Sequence, residues 1–253
     1  MDIMERLHNN TIIKRNISRF EAEMAKIQRP GMDKLMRYIQ TSDFYTAPAS
    51  TKYHLSTEGG LLQHSLNVLD ALRSLLHPSE VEGCKAWEYR IAGRTVASFP
   101  DDTITLVALL HDICKTYFYS TDTRNVKNEK GKWEKVPFYT VNDRMPLGHG
   151  SKSAMIIKQY IQLTTPEMYA IWWHMGFCDN ADTLALSAAL DQYPLIWALH
   201  TADMMASHYM EGMAGNKPGF TFEDLDDETG EATMNEHLEA APEFEEAPPL
   251  PED

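Results

Sequence analysis

The chain has 253 residues, 43% of them hydrophobic, enough for a substantial core and too many for a wholly disordered protein. Its three cysteines, Cys84, Cys114 and Cys178, are scattered and form no CxxC pair, which argues against a disulfide framework or a zinc knuckle and for a reduced, cytoplasmic setting. The net charge of −14 is concentrated at one end: residues 219–253 carry 13 acidic side chains and no Lys or Arg, leaving a nearly neutral body of 24 acidic and 23 basic residues. No apolar run approaches the roughly 20 residues of a membrane helix, and the start MDIMERLHNN lacks the basic and apolar pattern of a secretory signal.

In chain order, residues 17–28 and 32–40 have helical spacing, separated by Arg29-Pro30-Gly31. Residues 1–50 are expected to be a helical segment that packs on the domain that follows, residues 51–218. Residues 61–76 place Leu61, Leu62, Leu66, Leu69 and Leu72 along a broad face after Gly59-Gly60. Residues 103–117 form the most apolar candidate helix, with the run 106–110. Residues 124–141 break the pattern: Lys130-Gly131 separates two partly alternating stretches, which predicts a β-hairpin. Helical spacing returns over 151–161, 166–173, 183–192 and 194–210. Residues 219–253, acidic and proline-bearing, bury too little apolar surface to offset chain entropy and are expected to be a disordered tail. The expected architecture is all-α, a helical bundle with one small hairpin insertion. There is no GxxxxGK[ST] or GxGxxG motif, so P-loop and dinucleotide sites are excluded.

Six polar residues sit in or beside these apolar helices: His64, His111, Asp112, His149, His174 and Asp203. Adjacent His111 and Asp112 follow five apolar residues, and Asp203 lies within WALHTADMMA. Burying such groups is costly unless they are paired or bind a metal. Singly, each has an ordinary explanation, such as a hydrogen-bonded core histidine or a buried ion pair. Jointly they make His64, His111, Asp112 and Asp203 candidate ligands of one divalent ion, and His149 and His174 candidates for a second. Lys115, one turn beyond Asp112, is placed to meet a phosphate oxygen. Arg144 and Lys152, flanking PLGHGS, are candidates to grip another phosphate. Glu58, His54 and His200 are nearby groups with weaker claims, and Trp133, Phe138 and Tyr139 on the hairpin offer faces on which a base could stack.

The segments EGGLLQHSLNVL (58–69), LVALLHDICK (106–115), GHGSKSAMII (148–157), WWHMG (172–176) and LHTADMMAS (199–207) resemble the HD superfamily of metal-dependent phosphohydrolases, over roughly residues 53–209. GGLLQHS and the extra histidines are most similar to the HD domain of bacterial 3′–5′ exoribonucleases. Two features differ from those enzymes: residues 1–50 cannot supply their OB-fold, and Cys114 stands where Gly is frequent. The resemblance implies an all-helical HD bundle with four ligands from different helices, and hydrolysis of a phosphate ester or anhydride. It also implies Asp112 between two ions, with His64, His111 and Asp203 on one and His149 and His174 on the other. Such nitrogen-rich donors favour Mn, Fe, Co, Ni or Zn over Mg. The neutral body carries no basic stripe for an extended polyanion, so the expected substrate is a small phosphorylated molecule, most simply a nucleotide. The alternatives are a 3′–5′ nuclease on short single strands and a non-catalytic nucleotide-binding regulatory module.

Overall fold

Leucines on nearly every side of residues 60–75 make a helix that must be surrounded to be stable. The computed structural model, which describes residues 3–127, 131–178 and 182–211, places it at the centre of the core. This helix is α3 (Gly60–Leu75), preceded by α1 (Ile3–Met24) and α2 (Met32–Thr41). Leu61, Leu62, Leu66, Leu69 and Leu72 are fully buried, each burial stabilising by about 1.5–3 kcal/mol. Around α3 pack α1, α4 (Asp101–Leu110) and α8 (Pro194–Met205). Residues 103–110 of α4 are all buried. Helices α5 (His149–Lys158), α6 (Thr165–Trp172) and α7 (Thr183–Gln192) complete the helical part. Phe20, Met24, Leu35 and Ile39 of α1 and α2 join the same core.

The all-α expectation is overturned. Two antiparallel sheets, five strands in all among the described residues, make this a mixed α/β architecture with high helical content. The first sheet, which the sequence reading passed over, runs in order β1 (His77–Val81), β2 (Cys84–Ile91), β3 (Arg94–Pro100) between α3 and α4. Its strands are short and largely exposed, so the alternation that betrays a half-buried strand is weak. Its two-residue turns use Glu82-Gly83 and Ala92-Gly93, all four residues at positive φ (52°, 77°, 49° and 76°). That is the type I′ geometry of tight hairpins, here without the usual Asn or Asp. Trp87 and Phe99, paired across β2 and β3, are the sheet's anchor, and Trp87 Nε1 donates to Asp101 Oδ1 at 2.6 Å. The second sheet is the hairpin β4 (Tyr119–Lys127) and β5 (Trp133–Val141), which starts five residues earlier than the spacing suggested.

The most apolar helix also ends early. α4 stops at Leu110, and residues 113–115 form a 3₁₀ turn rather than a continuation to 117. The tighter turn satisfies carbonyls that a helix end leaves free: Lys115 N–H donates to Asp112 O at 2.9 Å and Thr116 N–H to Ile113 O at 3.1 Å. His111 and Asp112 therefore sit at the helix terminus, where their side chains face the neighbouring helices. The acidic segment 219–253 lies outside the described residues.

Candidate metal centre

Close backbone approaches set up the site. Gly60 opens α3, and a Cβ there would run into the Leu55 carbonyl and the Ala49 amide. A glycine is required, and it fixes where His64 lies one turn later. At Gly150 a Cβ would meet the carbonyls of Ile171 and Trp172, so the start of α5 is pressed against the end of α6. That brings His149 toward His174.

Asp112, 4% exposed, is at the centre. Its Oδ2 lies 2.7 Å from Lys115 Nζ, 3.6 Å from His111 Nε2 and 3.7 Å from His64 Nε2. Its Oδ1 lies 3.6 Å from His174 Nε2. Asp203 Oδ1 approaches His64 Nε2 at 3.3 Å, and the Nε2 atoms of His64 and His111 are 3.2 Å apart. Five of the six expected ligands are thus brought into one buried cluster.

The other ring nitrogens decide what this cluster is for. His64 Nδ1 donates to Glu211 Oε1 at 2.9 Å, His111 Nδ1 to the Ala108 carbonyl at 2.8 Å and His174 Nδ1 to the Ile171 carbonyl at 2.7 Å. In a neutral imidazole a hydrogen on Nδ1 leaves Nε2 with a lone pair only. As neutral imidazoles the three would turn Nε2 lone pairs toward Asp112 and Asp203, and His174 Nε2 is buried with no hydrogen-bond partner. Unpaired buried acceptors are costly. A divalent cation would answer that cost at His174, and imidazole with carboxylate is a donor set for borderline transition metals. His64, His111 and Asp203 offer ligand atoms close enough to share one ion, as do His111, Asp112 and His174.

The carboxylates draw positive charge toward the cluster. Burial opposes a charge on His64, yet Glu211 and Asp203 push it up to about 10. Burial lowers His111 to about 4. Although burial would raise Asp112, the Lys115 ammonium and the neighbouring histidines hold it well below the usual carboxylate range. Burial opposes a charge on His174 too, yet Asp112 and Asp203 raise it, so the carboxylates of the cluster favour positive charge among them, whether as protons or as a cation.

His149 stands one step aside, on the other face of Asp112. Its Nδ1 is 3.4 Å from Cys114 Sγ, which is 3.9 Å from Asp112 Oδ1. Asp112, Cys114 and His149 form a further potential ligand group, which adds a thiol to the six expected ligands. Burial pushes that thiol up to about 12.

The remaining candidates make other contacts or face solvent. Lys152 is buried, but it pairs with Asp143 at 2.5 Å and lies over the Phe118 ring. Arg144 is exposed on the loop before α5. Glu58 is exposed. Trp133 is exposed near the hairpin tip beside Lys127, and Phe138 packs under the Arg124 guanidinium. Tyr139 meets Tyr119 edge-on. His200 Nδ1 donates to the His174 carbonyl at 2.6 Å, steadying the turn that carries His174.

Glu211 is the residue that sequence reasoning missed. It is 2% exposed and follows a π-helical turn, Ala206–Met210, closed by its own N–H on the Ala206 carbonyl at 3.0 Å. A π turn takes in an extra residue, so the eight steps from Asp203 to Glu211 make roughly two turns and keep both carboxylates on one face. An amide chain leads to it: Asn16 donates to Gln63, Gln63 to Asn67, and Asn67 to Glu211 Oε1 at 3.0 Å.

A cavity of about 460 Å³ opens onto the cluster, reaching His64, Asp112, Lys115 and Asp203. No family model matches this chain, and no curated protein or solved structure matches it either. What the site does is read from its own chemistry. Among the described residues no helix is long and apolar enough to cross a membrane.

Proposed function

We propose that this chain is a metal-dependent phosphohydrolase of the HD type, acting on a phosphate ester or anhydride of a nucleotide. One observation carries the reading: three imidazoles whose Nδ1 hydrogens are committed elsewhere turn their Nε2 atoms toward the carboxylates of Asp112 and Asp203 beside a cavity. His64, His111, Asp112 and Asp203 would hold one divalent ion, and His174, His149 and Cys114 lie on the far side of Asp112 for a second. A bound divalent ion supplies Lewis acidity toward phosphoryl oxygen and lowers the pKa of water. The chain's own groups do the rest. Glu211 holds a hydrogen of His64 on Nδ1, so that Nε2 is the atom that would face a metal. Lys115 lines the cavity, and its ammonium hydrogens not used by Asp112 are available to a phosphoryl oxygen that gains charge in the transition state. The helices packed behind the cluster keep bulk water from its rear, which strengthens those interactions.

The test is a chromatographic screen of nucleotides with the purified full chain and added Mn²⁺, with Asp203→Asn run beside it. Metal content is measured on both proteins by elemental analysis. Retained metal and turnover of one nucleotide class in the wild type, both strongly reduced in D203N, is the expected result. A wild type that retains no transition metal, or that forms no product with any of Mn²⁺, Fe²⁺, Co²⁺, Ni²⁺ or Zn²⁺, would overturn the reading.

A further inference from the structure

The cavity over the metal cluster has a strongly divided lining. Its floor is polar: Asp112, Asp203 and Lys115. Its lip carries Tyr53, Met175 and Met204, with exposures of 77%, 45% and 45%, alongside Ser207 and His208. Exposed large apolar side chains gathered at a cavity mouth mark a binding surface. Met175 follows His174 in the chain and Met204 follows Asp203, so the lip is built from neighbours of the ligands and its distance from the floor is fixed.

Charge separates the possible occupants. Polyphosphates are normally gripped by several Lys or Arg side chains. Among the described residues, Lys115 is the one lysine that lines the cavity, no arginine does, and Asp112 already shares the Lys115 ammonium at 2.7 Å. Lys152 spends its charge on Asp143, and Arg144 is not part of the lining. A second and third phosphate would meet carboxylates, methionines, Ser207 and histidines but no further Lys or Arg, leaving most of their desolvated charge without a counter-charge. The cavity volume of about 460 Å³ suits one small ligand. Methionine and tyrosine together form a face that accepts a flat ring without demanding one pattern of hydrogen bonds.

We infer that the site is built for a substrate with a single phosphate joined to a flat aromatic group, a mononucleotide monoester or cyclic diester, and selects against polyphosphates and strands. This rests on the phosphohydrolase reading. The monoester and the cyclic diester share the same recognition chemistry, and release of inorganic phosphate distinguishes them.

The experiment measures kcat/KM for the Mn²⁺-loaded full chain on nucleoside monophosphates, cyclic mononucleotides, nucleoside triphosphates, glucose 6-phosphate and a short oligonucleotide. D203N is the blank for each, and Tyr53→Ala is compared with the wild type. The expected result is a preference of at least about tenfold for single-phosphate nucleotides over triphosphates, and a nucleotide-to-glucose-6-phosphate ratio that falls about tenfold in Y53A, the size of one lost stacking contact. D203N-sensitive turnover that favours triphosphates, the oligonucleotide or glucose 6-phosphate overturns this inference and leaves the phosphohydrolase standing. An unchanged ratio in Y53A also overturns it. The absence of any D203N-sensitive turnover overturns both.

Discussion

The carboxylate of Glu211 accepts the Nδ1 hydrogen of His64 at 2.9 Å across 147 residues of chain, tying the end of the last described helix to the second turn of α3. Both groups are buried, and Asn67 donates to the same oxygen. The bond orients a candidate metal ligand, and Glu211 with His54 and His64 is itself a group that could hold an ion. Replacing Glu211 by Gln weakens the orienting acceptor while preserving shape. Metal affinity, measured by competition with a chromophoric chelator, is expected to fall about 10–100-fold. An unchanged affinity would show that His64 holds its orientation by packing alone.

Arg29 joins three separate parts of the fold. Its guanidinium donates to Glu167 at 2.6 and 2.8 Å and to Asp102 at 2.9 Å, and Thr103 donates to Glu167 at 2.7 Å. Glu167 is fully buried and also completes the capping box of α6 with Thr164. Arg29→Ala leaves that carboxylate without its counter-charge, and urea denaturation should report a loss of about 3–5 kcal/mol. The R29A/E167Q double variant should be less destabilised than the two single losses added together, because the two residues act as one unit.

Glu23 gives the fold a defined acid sensitivity. Burial would raise its carboxyl, but hydrogen bonds from Arg73 and Lys26 hold it at about 2, below its ordinary 4.5. A carboxyl depressed in the folded state contributes its full stability above the unfolded value and loses it as pH falls through the folded value. Glu23→Gln should therefore be less stable than the wild type at pH 5 and above. The gap should close between pH 4.5 and about 2. Denaturant midpoints of both proteins across that range check it, and a gap independent of pH would mean the ion pairs are not its source.

The three cysteines should separate by reactivity. Cys84 and Cys178 are exposed, whereas Cys114 is buried and its thiol is pushed up to about 12. Since the thiolate is the reactive form, a chromogenic disulfide reagent at pH 8 should titrate two thiols per native chain and three after denaturation. Fast reaction of a third thiol in the native protein would place Cys114 in solvent rather than beside His149.

Much of the frame could be read locally. Helical spacing over 32–40 and 183–192 corresponds to α2 and α7, and the run 106–110 marks the interior of α4, because a period of 3.6 and a Pro or Gly break are properties of neighbouring residues. The chemistry was legible for a related reason. His64, His111, Asp112, His174 and Asp203 stand out as polar groups in apolar helices, where burial without a partner is costly, and the structure brings those five together. The sheet of residues 77–100 was not legible, since its strands are mostly exposed and its turns use Glu-Gly and Ala-Gly, dipeptides with no strong local signal.

Which partner each polar group meets was decided only by packing. Nothing around Glu211 in the chain shows that a π turn brings it in phase with Asp203 and within reach of His64. Nothing around Lys152 shows that Asp143 takes up its charge. The sequence by itself determined which residues could not afford to be buried alone, because that depends on side-chain type and helical phase. The tertiary structure decided who answers them, because hydrogen bonds and ion pairs act over about 3–4 Å between segments that the chain separates by up to 147 residues.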